Sequence, residues 1–223
     1  MRNATTSPDE VDVVVTRTYR VVRWWLRWLV RHVLRAHIEG AEVVPLTGPV
    51  LLAPNHRSLV DFVIPFVLTE RKIFFMIQDG MFVHRMMAHV LGRMGGIPVA
   101  RGKPDRSSVE SCKAVLAAGQ VLALYPEGRL GTGPLVGPLS DGAVFIAAST
   151  QATIVPVGVA GLERFRSIRG LWRPDTVRVV VGQSLAMPVT IERPRRSWVT
   201  AQTGVLQEAM TDSYRRAQVL QTR

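Results

Sequence analysis

Two side chains in the segment NHRSLVD, residues 55–61, have the chemistry of a general base and its partner. A histidine titrates near neutral pH as a residue type, and a carboxylate such as that of Asp61 can fix the tautomer of His56. Positions five apart on one helix point about 140° apart, so the pair meets only if His56 precedes the helix that contains Asp61. With Ser58 as N-cap, Asp61 would take the acid position of a capping box and do nothing more. These residues alone leave both interpretations open.

Two further segments end a short apolar run with charged residues. They are YPEGRLG, residues 125–131, and GGIPVARGK, residues 95–103. The candidate binding residues in these segments are Glu127, Gly128, Arg129, Arg101 and Lys103. Ligands of open α/β sheets gather beyond the carboxyl ends of the strands, so parallel strands would bring these residues and His56 to one rim. The pattern favours a base beside an anion-binding cluster, although each charged residue alone is ordinary.

The elements that must position these residues alternate between strands and helices. Apolar runs bounded by Gly, Pro or Asn predict strands at 50–54, 72–77, 95–100, 121–126 and 153–159, and one more after residue 175. Helices are predicted at about 59–69, 80–92, 105–119, 139–150 and 197–217, and Pro65 would kink or shorten the first. The alternation predicts an α/β fold with a mainly parallel central sheet flanked by helices. No Pro/Gly/Ser-rich linker interrupts it, so we expect residues 39–223 to form one domain.

Residues 8–38 are predicted to form a separate N-terminal amphipathic helix. Six arginines fall within an arc of about 120° on a helical wheel; they are Arg17, Arg20, Arg23, Arg27, Arg31 and Arg35. The opposite side carries Val22, Trp25, Leu26, Leu29 and Val33, and Trp24 and Trp28 lie at the edge of the arginine face. A basic helix with tryptophans is typical of an anchor in the plane of an anionic membrane surface. The alternative is a helix docked on its own domain with a solvated basic face.

Composition narrows the classes of protein. The formal net charge is +11, and 25 of the 28 basic residues are arginines, which suits phosphate-bearing partners or reflects genomic base composition. The single cysteine, Cys112, excludes a disulfide framework and a thiolate metal cluster, and we expect no metal site. No secretory signal and no run of about 20 apolar residues is present, so a membrane-spanning protein is not expected. No helix-turn-helix, zinc or RNA-sheet signature supports nucleic-acid binding.

Four blocks in order resemble a known family. They are N-H-x-x-x-x-D from Asn55 to Asp61, a block closed by Arg101, Y-P-E-G at 125–128, and V-P-V at 155–157. Together they are similar to the glycerolipid acyltransferases, above all to the 1-acylglycerol-3-phosphate (lysophosphatidate) acyltransferases. The resemblance covers about residues 40–160. It departs from the family after the third block, where Thr-Arg-Ser is usual and this chain has Arg129-Leu130-Gly131.

The resemblance implies a reaction and a set of roles. A fatty acyl group would move from the thioester of acyl-CoA or acyl carrier protein to a lysophospholipid hydroxyl, with acyl-CoA as co-substrate and no other cofactor. His56 would be the general base and Asp61 would orient it. The acceptor would be bound by Arg101 with Lys103 at its phosphate, by Glu127 and Gly128, and by Arg129 in the altered block. Backbone donors from Asn55 to Ser58 are candidates to stabilise the oxyanion.

The resemblance also implies a place of action, because both substrates partition into membranes. We expect a peripheral protein at the cytoplasmic face of the cell membrane, held at an anionic surface by the N-terminal helix. Two alternatives stay open. One is an acyltransferase for another lysolipid or a glycolipid, and the other is a basic membrane-binding protein without enzymatic activity.

Overall fold

A seven-stranded sheet forms the centre of the molecule. The computed structural model describes residues 14–58, 60–78, 85–99, 106–163, 176–188 and 194–222. The strands are β1 (His37–Glu39), β2 (Val50–Pro54), β3 (Ile73–Gln78), β4 (Gly96–Val99), β5 (Val121–Ala123), β6 (Thr153–Ala160) and β7 (Arg178–Val181). Their order in the sheet is β1-β7-β6-β2-β5-β3-β4, and every neighbouring pair is parallel except β6 and β7. The predicted α/β fold with a mainly parallel sheet is confirmed.

The strands lie where the apolar runs predict them, with two differences. β5 ends at Ala123 although its apolar run continues to Pro126, and Pro126 has no N–H with which to continue a ladder. β1 was not predicted, because three residues, HIE, give too short a pattern to recognise. It pairs in parallel with β7, His37 opposite Arg178, at the edge of the sheet.

Within the described residues, six α-helices accompany the sheet. They are α1 (Arg17–Trp28), which continues as a π-helical turn over Leu29–Val33, α2 (Pro65–Leu68), α3 (Arg85–Arg93), α4 (Arg106–Ala117), α5 (Gly142–Ser149) and α6 (Arg196–Gln221). The helix predicted at 59–69 is much shorter, because a 3₁₀ turn over Asp61–Val63 precedes α2. Pro65 stands at the start of α2, where its missing N–H is not required.

The helices cover both faces of the sheet. Leu51 and Ala53 of β2 pack with α4, α5 and α6, while Val50 and Leu52 point into a second core cluster that includes residues of α1 and α2. Alternate side chains of one strand therefore serve two cores, which explains why β2 is a continuous apolar run. All five residues of β2 are buried.

Helix α1 docks differently from the predicted wheel. Arg23 is only 8% exposed, and its guanidinium donates to the carbonyls of Thr69 and Glu70. The Glu70 carboxylate binds both Arg23, at 3.0 Å, and Arg27. Part of the arginine face is therefore buried against the domain, and burial lowers the pKa of the Arg23 guanidinium. The fully solvated basic face of the docked-helix alternative is therefore not what the structure shows, because Arg23 is buried.

The outward face of α1 carries tryptophan as well as arginine. Trp24, Trp25 and Trp28 are 58%, 55% and 41% exposed and stack edge to face, with ring centroids 4.9 and 5.8 Å apart. We call these three residues the tryptophan cluster. Trp25 and Val33, which the helical wheel places on the side opposite the arginines, are both exposed. A helical wheel records residue types and cannot show that Glu70 draws the arginines inward.

The structure describes only part of the predicted N-terminal segment, residues 8–38. Residues 8–13 of the predicted helix lie outside the described residues, and the predicted boundary after residue 38 falls within β1 and stays a prediction. Over the described ranges, no helix combines the length and the apolar character that crossing a bilayer requires.

Candidate active site

The site lies beyond the carboxyl ends of β2, β5 and β6, which are parallel neighbours. Asn55 follows β2 directly and is fully buried. Its backbone N–H donates to the Val157 carbonyl at 3.2 Å, and its side-chain amide exchanges two hydrogen bonds with the backbone of Val159, at 3.0 and 2.6 Å. The chain is thus fixed to β6 at the residue immediately before His56.

His56 and Asp61 are in contact. The Nδ1 atom of His56 lies 3.1 Å from Oδ2 of Asp61, whose side chain is fully buried, while a quarter of the His56 side chain is exposed. The same Oδ2 atom accepts hydrogen bonds from the backbone N–H groups of Arg57 and Ser58, the latter at 2.8 Å. The Ser58 hydroxyl accepts from the Val60 N–H at 3.3 Å. Asp61 therefore caps the turn and holds the histidine, so the two interpretations of the sequence describe one arrangement.

This contact determines which histidine nitrogen is available for chemistry. An ionised carboxylate only accepts hydrogen bonds, so the Nδ1 atom of His56 must carry the proton that Asp61 receives. The Nε2 atom then presents a lone pair. A partly exposed imidazole of fixed tautomer can take a proton from an approaching hydroxyl.

Glu127 supports the histidine from the neighbouring strand. Its carboxylate is buried; Oε1 accepts from the His56 N–H at 2.9 Å and Oε2 from the Gly137 N–H at 3.0 Å. With these bonds, every backbone N–H from Asn55 to Ser58 donates to an acceptor within the protein. In this structure these amides are bound within the protein, and their role in stabilising an oxyanion stays a prediction.

Tyr125 completes the packing around the pair. Its ring lies 4.5 Å from the imidazole of His56, centroid to centroid. Its hydroxyl is buried without a hydrogen-bond partner in the described part of the chain, and so is Oδ1 of Asp61. Burial, and then the nearby Asp61 charge, raises the pKa of the Tyr125 hydroxyl well above its usual value, so this group stays protonated.

The other predicted binding residues fall into two groups. Gly128 and Arg129 are exposed on the loop that leaves β5, beside the supported histidine. Arg101 and Lys103 lie outside the described residues, shortly after β4 ends at Val99. Within the described ranges, no group of three or more His, Cys, Asp or Glu side chains could hold a metal ion.

Sequence reasoning missed two residues at this site. Arg57, the residue after His56, is 1% exposed, and Tyr125 precedes the Pro-Glu-Gly turn. For Arg57 the position between His56 and Asp61 was a usable signal, since a residue inside a six-residue functional turn must lie close to both ends. For Tyr125, nothing in the sequence shows whether the ring packs in the core or lies beside His56.

Comparison with known proteins decides the family. A family model described as Acyltransferase matches residues 35–160, more than half of the chain. The chain belongs to this acyltransferase family. The resemblance seen in the four sequence blocks is thereby confirmed.

Two relatives of this acyltransferase-family chain are similar to it in sequence along most of its length. The chain is 27% identical over 168 residues to the chloroplastic 1-acyl-sn-glycerol-3-phosphate acyltransferase LPAT1 of Arabidopsis thaliana, covering 72% of this chain and 46% of that one. It is 23% identical over 176 residues to the 1-acyl-sn-glycerol-3-phosphate acyltransferase of Bacillus subtilis (strain 168), covering 78% and 86%. The match thus spans less than half the length of the plant relative.

A solved structure shares the fold. The crystal structure of the 1-acyl-sn-glycerophosphate (LPA) acyltransferase PlsC from Thermotoga maritima matches with a TM-score of 0.70 at 15% identity, covering 94% of this chain and 80% of that chain. At this identity the likeness shows the fold alone. It confirms that this acyltransferase-family chain has the α/β architecture expected from its alternating strands and helices.

Proposed function

We propose that this protein transfers a fatty acyl group from an acyl thioester to the free hydroxyl of 1-acylglycerol-3-phosphate and so forms phosphatidate. The observation that carries the proposal is the His56–Asp61 pair, in which Nδ1 lies 3.1 Å from a fully buried carboxylate and the imidazole remains partly exposed. Membership of the acyltransferase family and the names of its relatives support the same reaction.

The reaction balances with one histidine. The acceptor oxygen attacks the thioester carbonyl carbon while Nε2 of His56 takes the hydroxyl proton, and Asp61 stabilises the imidazolium that forms. The tetrahedral intermediate collapses as the carbon–sulfur bond breaks, and the imidazolium returns its proton to the departing thiolate. A thioester already has a good leaving group, so no acyl-enzyme is required. Either acyl-CoA or acyl carrier protein can serve as donor in this scheme.

The acceptor phosphate is assigned to basic residues of the sequence blocks. Arg101, with Lys103, holds this role by its place in the second sequence block, and exposed Arg129 lies on the loop beside His56. The altered block Arg129-Leu130-Gly131 favours a second candidate, an acyltransferase whose acceptor is another lysolipid or a glycolipid. Arg101→Ala separates the two, because losing a phosphate partner raises the KM of the acceptor about tenfold or more.

We further propose that the protein works at the cytoplasmic face of the cell membrane without spanning it. The tryptophan cluster is exposed on α1 together with Arg17 and Arg20, and Arg31 and Arg35 are exposed in the segment that follows α1. Aromatic rings suit the headgroup level of a bilayer, and basic residues near an anionic surface contribute about 1 kcal/mol each. Both substrates reside in or at that surface.

The experiment supplies palmitoyl-CoA, oleoyl-CoA or acyl carrier protein thioesters, with a panel of lysolipids, to the purified protein and follows released thiol and product lipid. His56→Ala should lower the rate about 10²- to 10⁴-fold while the fold persists. His37→Ala is the matched control, since His37 is exposed on the edge strand β1. A folded protein that binds vesicles but transfers no acyl group from any donor would leave a basic membrane-binding protein instead.

A further inference from the structure

Arg57 is a buried cation directly beside the candidate base. Its Nη1 atom donates to the Gly133 carbonyl at 3.0 Å and its Nη2 atom to the Leu135 carbonyl. The guanidinium also lies over the ring of Tyr214 in α6, 4.6 Å from the centroid. Burying a guanidinium is costly unless its donors are satisfied, and here backbone carbonyls of one loop accept hydrogen bonds from both terminal nitrogens. This side chain is therefore committed to that loop.

Residues 128–140 form most of the loop between β5 and α5, and this loop contacts the backbone of His56. The Gly131 N–H donates to the His56 carbonyl at 2.6 Å, and the Gly137 N–H donates to Glu127. A Cβ atom at Gly131 would lie 2.6 Å from Oε2 of Glu127 and 2.9 Å from Nη1 of Arg57, so both side chains press on the same backbone. The loop is thus bound at two places. Glu127, after β5, accepts from the loop backbone, and Arg57, between His56 and Asp61, donates to it.

We infer that Arg57 is a positioning residue that fixes the 128–140 loop relative to the His56–Asp61 pair. Through this loop it sets where the acceptor-binding residues Gly128 and Arg129 stand with respect to Nε2 of His56. The inference rests on the proposed function. The backbone N–H of Arg57 separately binds Asp61, so a changed side chain leaves that contact available.

Arginine is required for this arrangement because of its shape. A planar guanidinium donates in two directions and stacks on an aromatic ring, whereas an ammonium is a single flexible point charge. Lysine at position 57 keeps the charge but cannot hold the Gly133 and Leu135 carbonyls together while it covers the Tyr214 ring. Arg57→Lys thus removes the positioning and retains the cation.

Arg71→Lys is the matched control. Arg71 also donates to three backbone carbonyls, those of Pro45, Gly48 and Gly119, the first two at 3.2 and 2.6 Å. Gly48 and Gly119 precede β2 and β5, so this arginine binds at the amino-terminal ends of these strands, opposite the candidate site. It has the same kind of contacts with no connection to the loop.

Acceptor kinetics at saturating acyl donor give the first readout. We expect Arg57→Lys to raise the KM for the lysophospholipid about tenfold with kcat within about threefold of the wild type, because the base is intact and acceptor placement is not. Arg71→Lys should change neither constant. Equal constants for wild type and Arg57→Lys overturn the inference while leaving the acyl-transfer proposal in place.

Hydrogen exchange of segment 128–140 gives a readout that does not need activity. Arg57→Lys should speed exchange at the Gly131 and Gly137 amides, and Arg71→Lys should not. If the wild type transfers no acyl group, the proposed function fails and exchange still decides whether Arg57 fixes the loop; unchanged exchange overturns it. If Arg57→Lys does not fold, Tyr214→Leu, which removes the ring beneath the guanidinium, is measured in the same two assays with the same expected directions.

Discussion

Gly158 of β6 lies directly against the backbone of Ser213 in α6, closer than any Cβ atom would allow. The first atoms that a side chain at position 158 would meet are the carbonyl group of Ser213 and the nitrogen of Tyr214. Neither can move without displacing the helix. This approach brings Tyr214 beneath Arg57 and holds α6 beside Val159, whose backbone fixes Asn55. The position of Tyr214 and of α6 beside the site thus depends on a glycine that lies outside it.

Gly158→Ala should therefore destabilise the fold by about 3 kcal/mol, because the obstructing atoms are backbone. The measurement is the urea midpoint of unfolding. Gly204→Ala, in α6, is the control, since no atom lies within 4 Å of its Cβ position. Alanine in a helix interior should raise stability there by about 0.5–1 kcal/mol. A midpoint for Gly158→Ala at or above the wild-type value would refute the close approach.

Asp61→Asn should lower kcat about 10²- to 10⁴-fold, because a neutral amide cannot stabilise the imidazolium that forms on His56. The substitution retains the size of the side chain and one acceptor oxygen, so circular dichroism should be unchanged. Asp141→Asn is the control. Its carboxylate also accepts a hydrogen bond, from Thr200 at 2.9 Å, but at an exposed position. A rate within tenfold of the wild type would remove Asp61 from the mechanism.

Tyr125→Phe and Tyr214→Phe should change stability in opposite directions. The Tyr125 hydroxyl is buried without a partner among the described residues, so removing it should stabilise by about 0.5–1 kcal/mol. The Tyr214 hydroxyl donates to Glu163 at 2.9 Å, and its loss should cost about 1 kcal/mol. Chemical unfolding measures both. If Tyr125→Phe is the destabilised variant, its hydroxyl has a partner in the working protein, such as a buried water beside Asp61.

Replacing all three residues of the tryptophan cluster with serine should reduce binding to anionic vesicles about 10-fold or more, measured by co-sedimentation. Residual binding should fall further as salt rises, since the remaining attraction is between charges. The control replaces Leu46, Val205 and Val219, three exposed apolar residues away from α1, with serine. Equal losses in both triple variants would contradict a specific membrane-facing role for α1.

Stability should decline with rising pH above about 9. Burial raises the pKa of the Cys112 thiol from 9.0 to about 12. Between these values the unfolded chain releases a proton that the folded chain retains, so unfolding becomes more favourable by about 1.4 kcal/mol per pH unit. Urea midpoints at pH 8, 9 and 10 measure the slope, and Cys112→Ala should flatten it. Identical slopes in the two proteins would show that another group is responsible.

The sequence predicts the sheet well because β2 and β6 are buried on both faces and must be apolar throughout. It predicts α2 poorly because capping by Asp61 and the constraint of Pro65 together leave only a 3₁₀ turn and four helical residues. It does not show how α1 docks, because Glu70, the partner of Arg27, lies 43 positions away in the chain. Long-range contacts of this kind leave no local pattern.

Within the site, the sequence identifies the pair and names Glu127, but it misses Arg57 and Tyr125. His56 and Asp61 can meet if a loop residue is followed by a helical turn, and this local geometry can be predicted from their spacing alone. The hydrogen bond from the His56 backbone to Glu127, and the role of Arg57, depend on strands brought together by the whole fold. The position of Arg57 between His56 and Asp61 indicates that it is near the site, but its contacts with the 128–140 loop leave no mark in the sequence.

The link between Asn55 and Val159 has a consequence for biosynthesis. The two residues are 104 positions apart. At an elongation rate of about 5–20 residues per second, a ribosome needs roughly 5–20 s after adding Asn55 before its partner exists. Non-local strand pairing is intrinsically slow as well. The turn that follows β2, with His56 and Asp61, therefore cannot reach its final position until β6 has been made. β2, an apolar strand made early, must likewise wait for β6 before it can be buried.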